Sequence, residues 1–232
     1  MALIAAPSPG EEWVAGLVLA RGGSKGIKNK NLLQLDHKPL LRRTLEVMHK
    51  AKCFHSIWVS TDSEVIADCA RAEEAEVHWR APYTATDDAS SVSAVQEFIK
   101  SHPEITIVCL VQCTSPFVQA MYLQEGMQKM ARGYDSVFSV TRRHLLRWSE
   151  GEFAVPENFS PRHRPRRQDW RGELYENGMF YIARVEVVQK GLLQGSRCGY
   201  IEVPQEDSLD IDTPFDGIVA QAWINYCQGG SI

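Results

Sequence analysis

Apolar, β-branched runs alternate with amphipathic helical stretches along most of this chain, and that alternation constrains the fold more than any other feature. Val14–Ala20, Ser56–Thr61, Glu76–Arg80, Ile105–Val111 and Asp135–Val140 read as strands. Between and after them, residues 40–51, 63–75, 91–101, 122–132 and 216–226 carry helical spacing, as in Leu41, Leu45 and Met48. Strand and helix in turn predict a mostly parallel sheet covered on both faces. A chain of 232 residues is long enough for one such domain with a sizeable core.

The first strand runs straight into Arg21-Gly22-Gly23-Ser24-Lys25-Gly26, followed by Lys28, Lys30 and Asn31. Glycines let backbone N–H groups approach an anion, the Ser24 hydroxyl adds a donor, and Arg21, Lys25 and Lys30 add fixed positive charge. Such a loop at the carboxyl end of a first strand suits a nucleotide phosphate. The spacing matches neither G-x-x-x-x-G-K-[ST] nor G-x-G-x-x-G, which argues against a P-loop hydrolase and a dinucleotide dehydrogenase.

The formal net charge is −4, so the surface as a whole does not attract polyanions. Positive charge concentrates in the first loop and in a run near Arg164. No apolar stretch is long enough to span a membrane. Residues 1–12 carry no basic n-region and read as a disordered leader, ahead of a domain over 13–232. The six cysteines show no zinc spacing and read as reduced, largely buried thiols.

Asp210-Ile211-Asp212 is the second strong candidate site. Carboxylates at i and i+2 on an extended backbone point to one side, which suits a hard cation that pairs with substrate phosphates. Asp216 reads better as a helix-start residue. Gln112 ends the central strand, where side chains face the ligand crevice, while Thr114-Ser115-Pro116 reads at least as well as a turn. Arg80 lies in a polar loop with Asp87, Asp88, Ser90 and Ser91. Arg80 there suits a phosphate or nucleobase, and the two serines suit helix caps equally.

Residues 141–172 break the rhythm. They are rich in Arg, Pro and His, and too long for a plain connection. An insertion of this kind predicts a lid, an arm to a partner subunit, or disorder. Within it, Arg162 to Trp170 has three readings: an anion site, a nuclear import signal, or a solvated basic face. Tyr175-Glu176-Asn177-Gly178 looks like a further strand-end site.

Taken together, LARGGSKGI…KN at 19–31, WVSTD at 58–62, DSVFSVTRRH at 135–144, RPRRQDW at 164–170, GELYENG at 172–178 and DIDTPFD at 210–216 are specific. In these blocks the chain resembles the N-acylneuraminate cytidylyltransferases, also called CMP-sialic acid synthetases, and most closely the catalytic domain of the vertebrate enzymes. The resemblance implies a three-layer, Rossmann-like nucleotide-sugar transferase fold with an extended dimerisation arm over 141–172. It implies transfer of CMP from CTP to a sialic acid, with Mg²⁺ required and pyrophosphate released. Arg21, Ser24, Lys25, Lys30 and Asn31 would then hold CTP, with Arg80 and Ser91 completing the nucleotide pocket. Gln112, Tyr175 and Asn177 would help hold the sugar, and Asp210 and Asp212 the metal. Arg164 and Arg167 would reach from the arm into a neighbouring subunit's site, in a homodimer or a dimer of dimers. Arg21, Lys25, Asp212 and Arg167 are the expected catalytic group. Nuclear localisation is implied, with the cytoplasm as the alternative, and neither nucleic acid nor membrane is an expected partner. Vertebrate members usually continue into a phosphatase-like domain, whereas this chain stops at Ile232, as a truncated or a single-domain form would. His163 stands where their basic run usually has Lys.

Overall fold

The structure is a computed structural model, and it describes residues 3–4, 8, 11–23, 27 and 29–229. Strand β1 (Val14–Leu19) is followed by a short hairpin, β2 (Gln34–Leu35) and β3 (Lys38–Pro39), and by helix α1 (Leu40–Ala51). Next come β4 (Ser56–Thr61), α2 (Glu64–Ala72), β5 (Glu76–Trp79), α3 (Ser91–Ser101), β6 (Ile107–Val111), α4 (Ala120–Ala131) and β7 (Ser136–Arg143). A small hairpin, β8 (Trp148–Ser149) with β9 (Val155–Pro156), precedes β10 (Glu173–Arg184), α5 (Val185–Gln189), β11 (Cys198–Glu202) and α6 (Pro214–Cys227).

Seven strands make one sheet in the order β11-β7-β10-β6-β1-β4-β5. β1 pairs in parallel with β4 and β6, β4 with β5, and β7 with β11; β10 alone runs antiparallel, between β6 and β7. Side-chain alternation splits the core into two layers. Val14, Val18, Ile107 and Phe180 face the side covered by α1, α2 and α4, while Ala15, Leu17, Leu110 and Ala183 face α3 and α5. Burial on both faces explains why the central strands read as continuous apolar runs. The α1 layer sits hard against β1: a Cβ on Gly16 would lie 2.5 Å from Met48 Cε. All six cysteines are free thiols, and burial pushes the Cys53 thiol up to about 12.

The expected strand over 56–61 and helices over 40–51 and 91–101 form with those limits. The longest strand was not legible. Tyr175 to Gly178 does not end a strand; it lies within β10, where the register to β7 shifts between Glu176 and Tyr181 and Gly178 takes φ +74°. That bulge breaks the period-2 pattern by which strands are recognised. The last helix begins at Pro214, earlier than the expected 216. Much of the expected leader over 1–12 lies outside the described residues; of the described part, Leu3 packs against the core and the Ile4 N–H donates to the Phe54 carbonyl (3.2 Å).

β7 continues to Arg143, so the expected insertion begins as sheet. Beyond it lie the β8–β9 hairpin, a bridge between Ser160 and His163, and a 3-10 turn at Arg167–Asp169. Leu145, Trp148, Phe153 and Val155 are exposed there. Arg147 roots the hairpin, pairing with Glu157 and, at 2.7 Å, with Glu173, which also accepts from Asn158 Nδ2 (2.9 Å). Arg147 above all holds the Glu173 carboxyl down at about 2.

Candidate active site

The cationic loop and the acid pair meet. Lys30 Nζ lies 2.9 Å from Asp212 Oδ1, and both line a cleft of about 350 Å³ with Arg21, Gln112 and Asp210. A second hollow of about 180 Å³ shares Leu19, Arg21 and Gln112 with the first and adds Arg80, Thr84 and Ser91. The two form one continuous trough at the carboxyl ends of β1, β4, β5 and β6, where open α/β sheets bind ligands.

Each wall has a local cause. Leu19 and Arg21 follow from β1 directly. The Arg21 carbonyl accepts from Asn31 Nδ2 (3.1 Å), the Arg21 guanidinium pairs with Asp87 (2.6 Å), and the Gly22 N–H donates to Asp62 Oδ1 (2.7 Å). Asn31 is thus a buried brace on the loop, with its amide nitrogen engaged by the backbone. Ser24 and Lys25, both expected phosphate contacts, lie outside the described residues.

Arg80 follows β5 directly and is buried, with 9 % of its surface exposed. Its Nε donates to Ser60 Oγ (3.3 Å) and its Nη1 to the Thr84 carbonyl (3.5 Å), while Nη2 has no partner. Burial depresses the guanidinium pKa, opposed by the charge of Asp62. A buried, incompletely bonded cation is costly unless something completes it. It lines the smaller hollow, where an anionic or carbonyl oxygen of a ligand would supply the missing bond. Between the two expected caps, Ser90 is the cap of α3, its Oγ accepting from the Ser93 N–H (3.1 Å), and Ser91 lines the hollow.

The acid pair is held from beneath. Ile211 is fully buried and its N–H donates to the Thr114 carbonyl (2.9 Å), so the flanking carboxylates point outward together. Asp207 anchors the approach to this segment, accepting from Tyr122 and from Gln119. Thr213 caps α6 and Asp216 completes the box: Asp216 accepts from the Thr213 N–H (2.7 Å) and the Asp212 N–H (3.1 Å), and the Thr213 Oγ1 accepts from the Asp216 N–H in return. This capping box, worth about 1 kcal/mol, makes Asp216 structural. Asp210 opens onto the cleft yet is walled by protein. That burial, with the neighbouring Asp212 charge adding to it, raises its carboxyl pKa despite a Thr114 hydrogen bond.

Among the described residues no three His, Cys, Asp or Glu side chains gather as a ready metal cage. The pair nevertheless fits a hard cation that keeps water and takes substrate phosphate oxygens as its remaining ligands. Burial above all, with the charge of Asp212 adding to it, disfavours the ionised Asp210 carboxylate, and a bound cation would offset both.

Other expected site residues stand apart within one chain. Arg164 lies 5.8 Å over the Phe159 ring, and Arg164 and Arg167 are exposed on the arm, outside the cleft lining. Tyr175 donates to Glu173 (3.3 Å). Asn177 spends its amide on Thr141 Oγ1 (2.9 Å) and its oxygen on the Met179 N–H (3.2 Å), so it braces the bulge. Sequence reasoning missed Tyr181, which lines the cleft and donates to Glu176. In an apolar strand it reads as core, whereas in the fold it lines the cleft together with Gly178. A further hollow, of about 470 Å³, lies elsewhere, beside α6. Its Lys38 already pairs with Glu46 (2.7 Å), and it contains none of the trough residues.

A trough of this composition at the carboxyl edge of a mainly parallel sheet is the arrangement in which α/β proteins hold nucleotides. The chain belongs to the cytidylyltransferase family, whose profile matches residues 15–203. It is 45 % identical over 214 residues to N-acylneuraminate cytidylyltransferase A of Danio rerio, covering 90 % of this chain and 50 % of the relative. It is 44 % identical over 214 residues to N-acylneuraminate cytidylyltransferase of Oncorhynchus mykiss, covering 90 % and 49 %. The chain spans about half the length of these curated relatives. In fold it is similar to CMP:2-keto-3-deoxy-manno-octonic acid synthetase complexed with CTP, with a TM-score of 0.70 at 16 % identity over 94 % of this chain and 100 % of that one. It is also similar to 4-diphosphocytidyl-2C-methyl-D-erythritol synthase from Anaerococcus prevotii, with a TM-score of 0.68 at 13 % identity over 92 % and 99 %.

Proposed function

We propose that this chain activates a sialic acid by transfer of CMP from CTP, giving CMP-sialic acid and pyrophosphate. The observation that carries the reading is the junction of Lys30 with Asp212 inside one trough that also holds the orphaned Arg80 guanidinium. The printed names of the vertebrate relatives supply the sugar.

The reaction asks for alignment and charge neutralisation more than covalent help. The anomeric hydroxyl of the sugar attacks the α-phosphorus, the bond to the β-phosphate oxygen breaks, and pyrophosphate leaves. Arg21, Lys25 and Lys30 neutralise the triphosphate, and Arg80 with Ser91 seats the cytidine. Asp210 and Asp212 would hold Mg²⁺, which when bound neutralises phosphate oxygens and favours ionisation of an attacking hydroxyl. Gln112 orients the sugar from the end of β6, alongside the Tyr175–Asn177 bulge.

The exposed arm supports a homodimer. Its apolar side chains are uncovered in a single chain, and Arg164 and Arg167 are not among the residues that line the cleft of their own chain. Arg164 and Arg167 would meet the sugar carboxylate of the neighbouring subunit through bidentate guanidinium contacts. The same run, Arg162 to Arg167, is exposed as a nuclear import receptor requires. Among the described residues no helix is long and apolar enough to cross a membrane.

Product analysis with CTP and a panel of sialic acids and related keto-sugar acids tests the reaction and the sugar together. CMP-sialic acid with stoichiometric pyrophosphate is the expected product; salt-dependent nucleic-acid binding without CTP turnover overturns the reading.

A further inference from the structure

The Gly22 N–H stands at the mouth of the cationic loop, where a phosphate would use it, but it is already taken. It donates to Asp62 Oδ1 at 2.7 Å. A carboxylate has the wrong charge to touch a triphosphate directly, so its place beside Arg21 and Arg80 needs another explanation.

The hydrogen bonds supply one. The Arg21 carbonyl and the Gly22 N–H belong to the same peptide unit. Asn31 Nδ2 holds its oxygen (3.1 Å) and Asp62 holds its nitrogen (2.7 Å). A peptide gripped at both polar groups cannot rotate, so the torsions on either side of it are set. The carboxylate comes from a braced turn at the end of β4, where the Ser63 N–H donates to Thr61 Oγ1 (3.1 Å). Gly22 lies so close to that turn that a Cβ there would meet Ser63 Cβ at 2.9 Å. The same strand end holds Arg80, whose N–H donates to the Thr61 carbonyl (2.9 Å) and whose Nε donates to Ser60 Oγ (3.3 Å). One strand terminus therefore sets two of the cationic groups of the trough.

We propose that Asp62 is a positioning residue: with Asn31 it clamps the Arg21–Gly22 peptide and so fixes the direction in which Arg21 and the loop after it meet the triphosphate. The inference rests on the cytidylyltransferase reading of the site. It makes Asp62 a determinant of CTP use without giving it any contact with CTP. The bond needs an acceptor oxygen at one place, not a negative charge, because the donor is a neutral amide.

Steady-state kinetics on Asp62→Ala, Asp62→Asn and Asp62→Glu in the full chain test this, with amide hydrogen exchange read over residues 19–23. Ala removes the acceptor and Glu displaces it. Both are expected to raise the KM for CTP by about tenfold, leaving the KM for the sugar within about twofold. Asn keeps the acceptor and restores CTP use to within about threefold of the unaltered chain. Exchange at residues 19–23 accelerates in Ala and not in Asn. If Ala does not fold, Glu carries the same readouts. Unchanged CTP kinetics in Ala and Glu overturn the proposal. So does an Asn variant as impaired as Ala, which would mean the charge matters, or an equal loss for both substrates. If the unaltered chain neither binds nor turns over CTP, the functional reading falls and this inference with it; an active unaltered chain with an equally active Asp62→Ala removes this inference alone.

Discussion

Lys30 Nζ and Asp212 Oδ1 stand 2.9 Å apart although 182 positions separate them in the chain. One ends the loop that follows the first strand and the other precedes the last helix. Their contact closes the trough, and it holds a positive and a negative group where phosphates and a divalent cation would each need one. As an exposed ion pair it adds little to stability, so its value lies in that placement.

Asp212→Ala is therefore expected to reduce turnover at least about a hundredfold with little loss of stability. Mg²⁺-dependent product formation and the thermal midpoint, measured together, check it. Near-normal turnover removes the metal assignment.

Arg80 offers a test in which stability and function separate. Its Nη2 is buried without a partner, which costs the empty protein free energy. Arg80→Met is expected to weaken CTP binding by about tenfold or more while leaving the thermal midpoint equal or higher. Calorimetric CTP titration beside a thermal melt decides it, and unchanged CTP affinity counts against a nucleotide role.

Arg167→Ala is expected to raise the KM for the sugar by about tenfold and the KM for CTP by less than about twofold, because the arm reaches the carboxylate and not the nucleotide. Equal effects on both substrates speak against that division.

His102 makes stability depend on pH. Burial above all, and the nearby His78, lower its pKa from the ordinary 6.5. Below 6.5 the unfolded chain takes up a proton that the folded protein refuses, so the unfolded state gains. Stability is then full above 6.5 and declines as pH falls from there toward the lowered folded value. Urea melts across that range should show the midpoint falling on the acid side, and His102→Gln should flatten the slope.

Much of the architecture was legible because the central strands are buried on both faces. Double burial turns β1 and β6 into unbroken apolar runs, and α1 and α3 keep a clean helical period against the sheet. The strand-end positions of Arg21, Gln112 and Arg80 followed from the same alternation. β10 was not legible, because a bulge at Gly178 disrupts its period and places polar side chains along it. Tyr181 was missed for that reason. Asp62 was missed because a carboxylate after a strand reads as a helix cap, and nothing local shows that it spends its oxygen on a glycine forty positions earlier.

By itself, the order of residues determined the alternating elements, the cationic loop, the paired carboxylates and the irregular segment after β7. These depend on neighbours within a turn or a strand, so local spacing suffices. Only the tertiary structure decided that Lys30 reaches Asp212, that Asn31 and Asp62 grip one peptide, that Arg80 is buried with a bond unmade, and that Asn177 braces a bulge. Those outcomes depend on how the sheet orders its strands, with β6 at its centre, β1 beside it and the segment before α6 folded back against the loop that follows β6, and sheet order is set by packing between residues far apart in the chain.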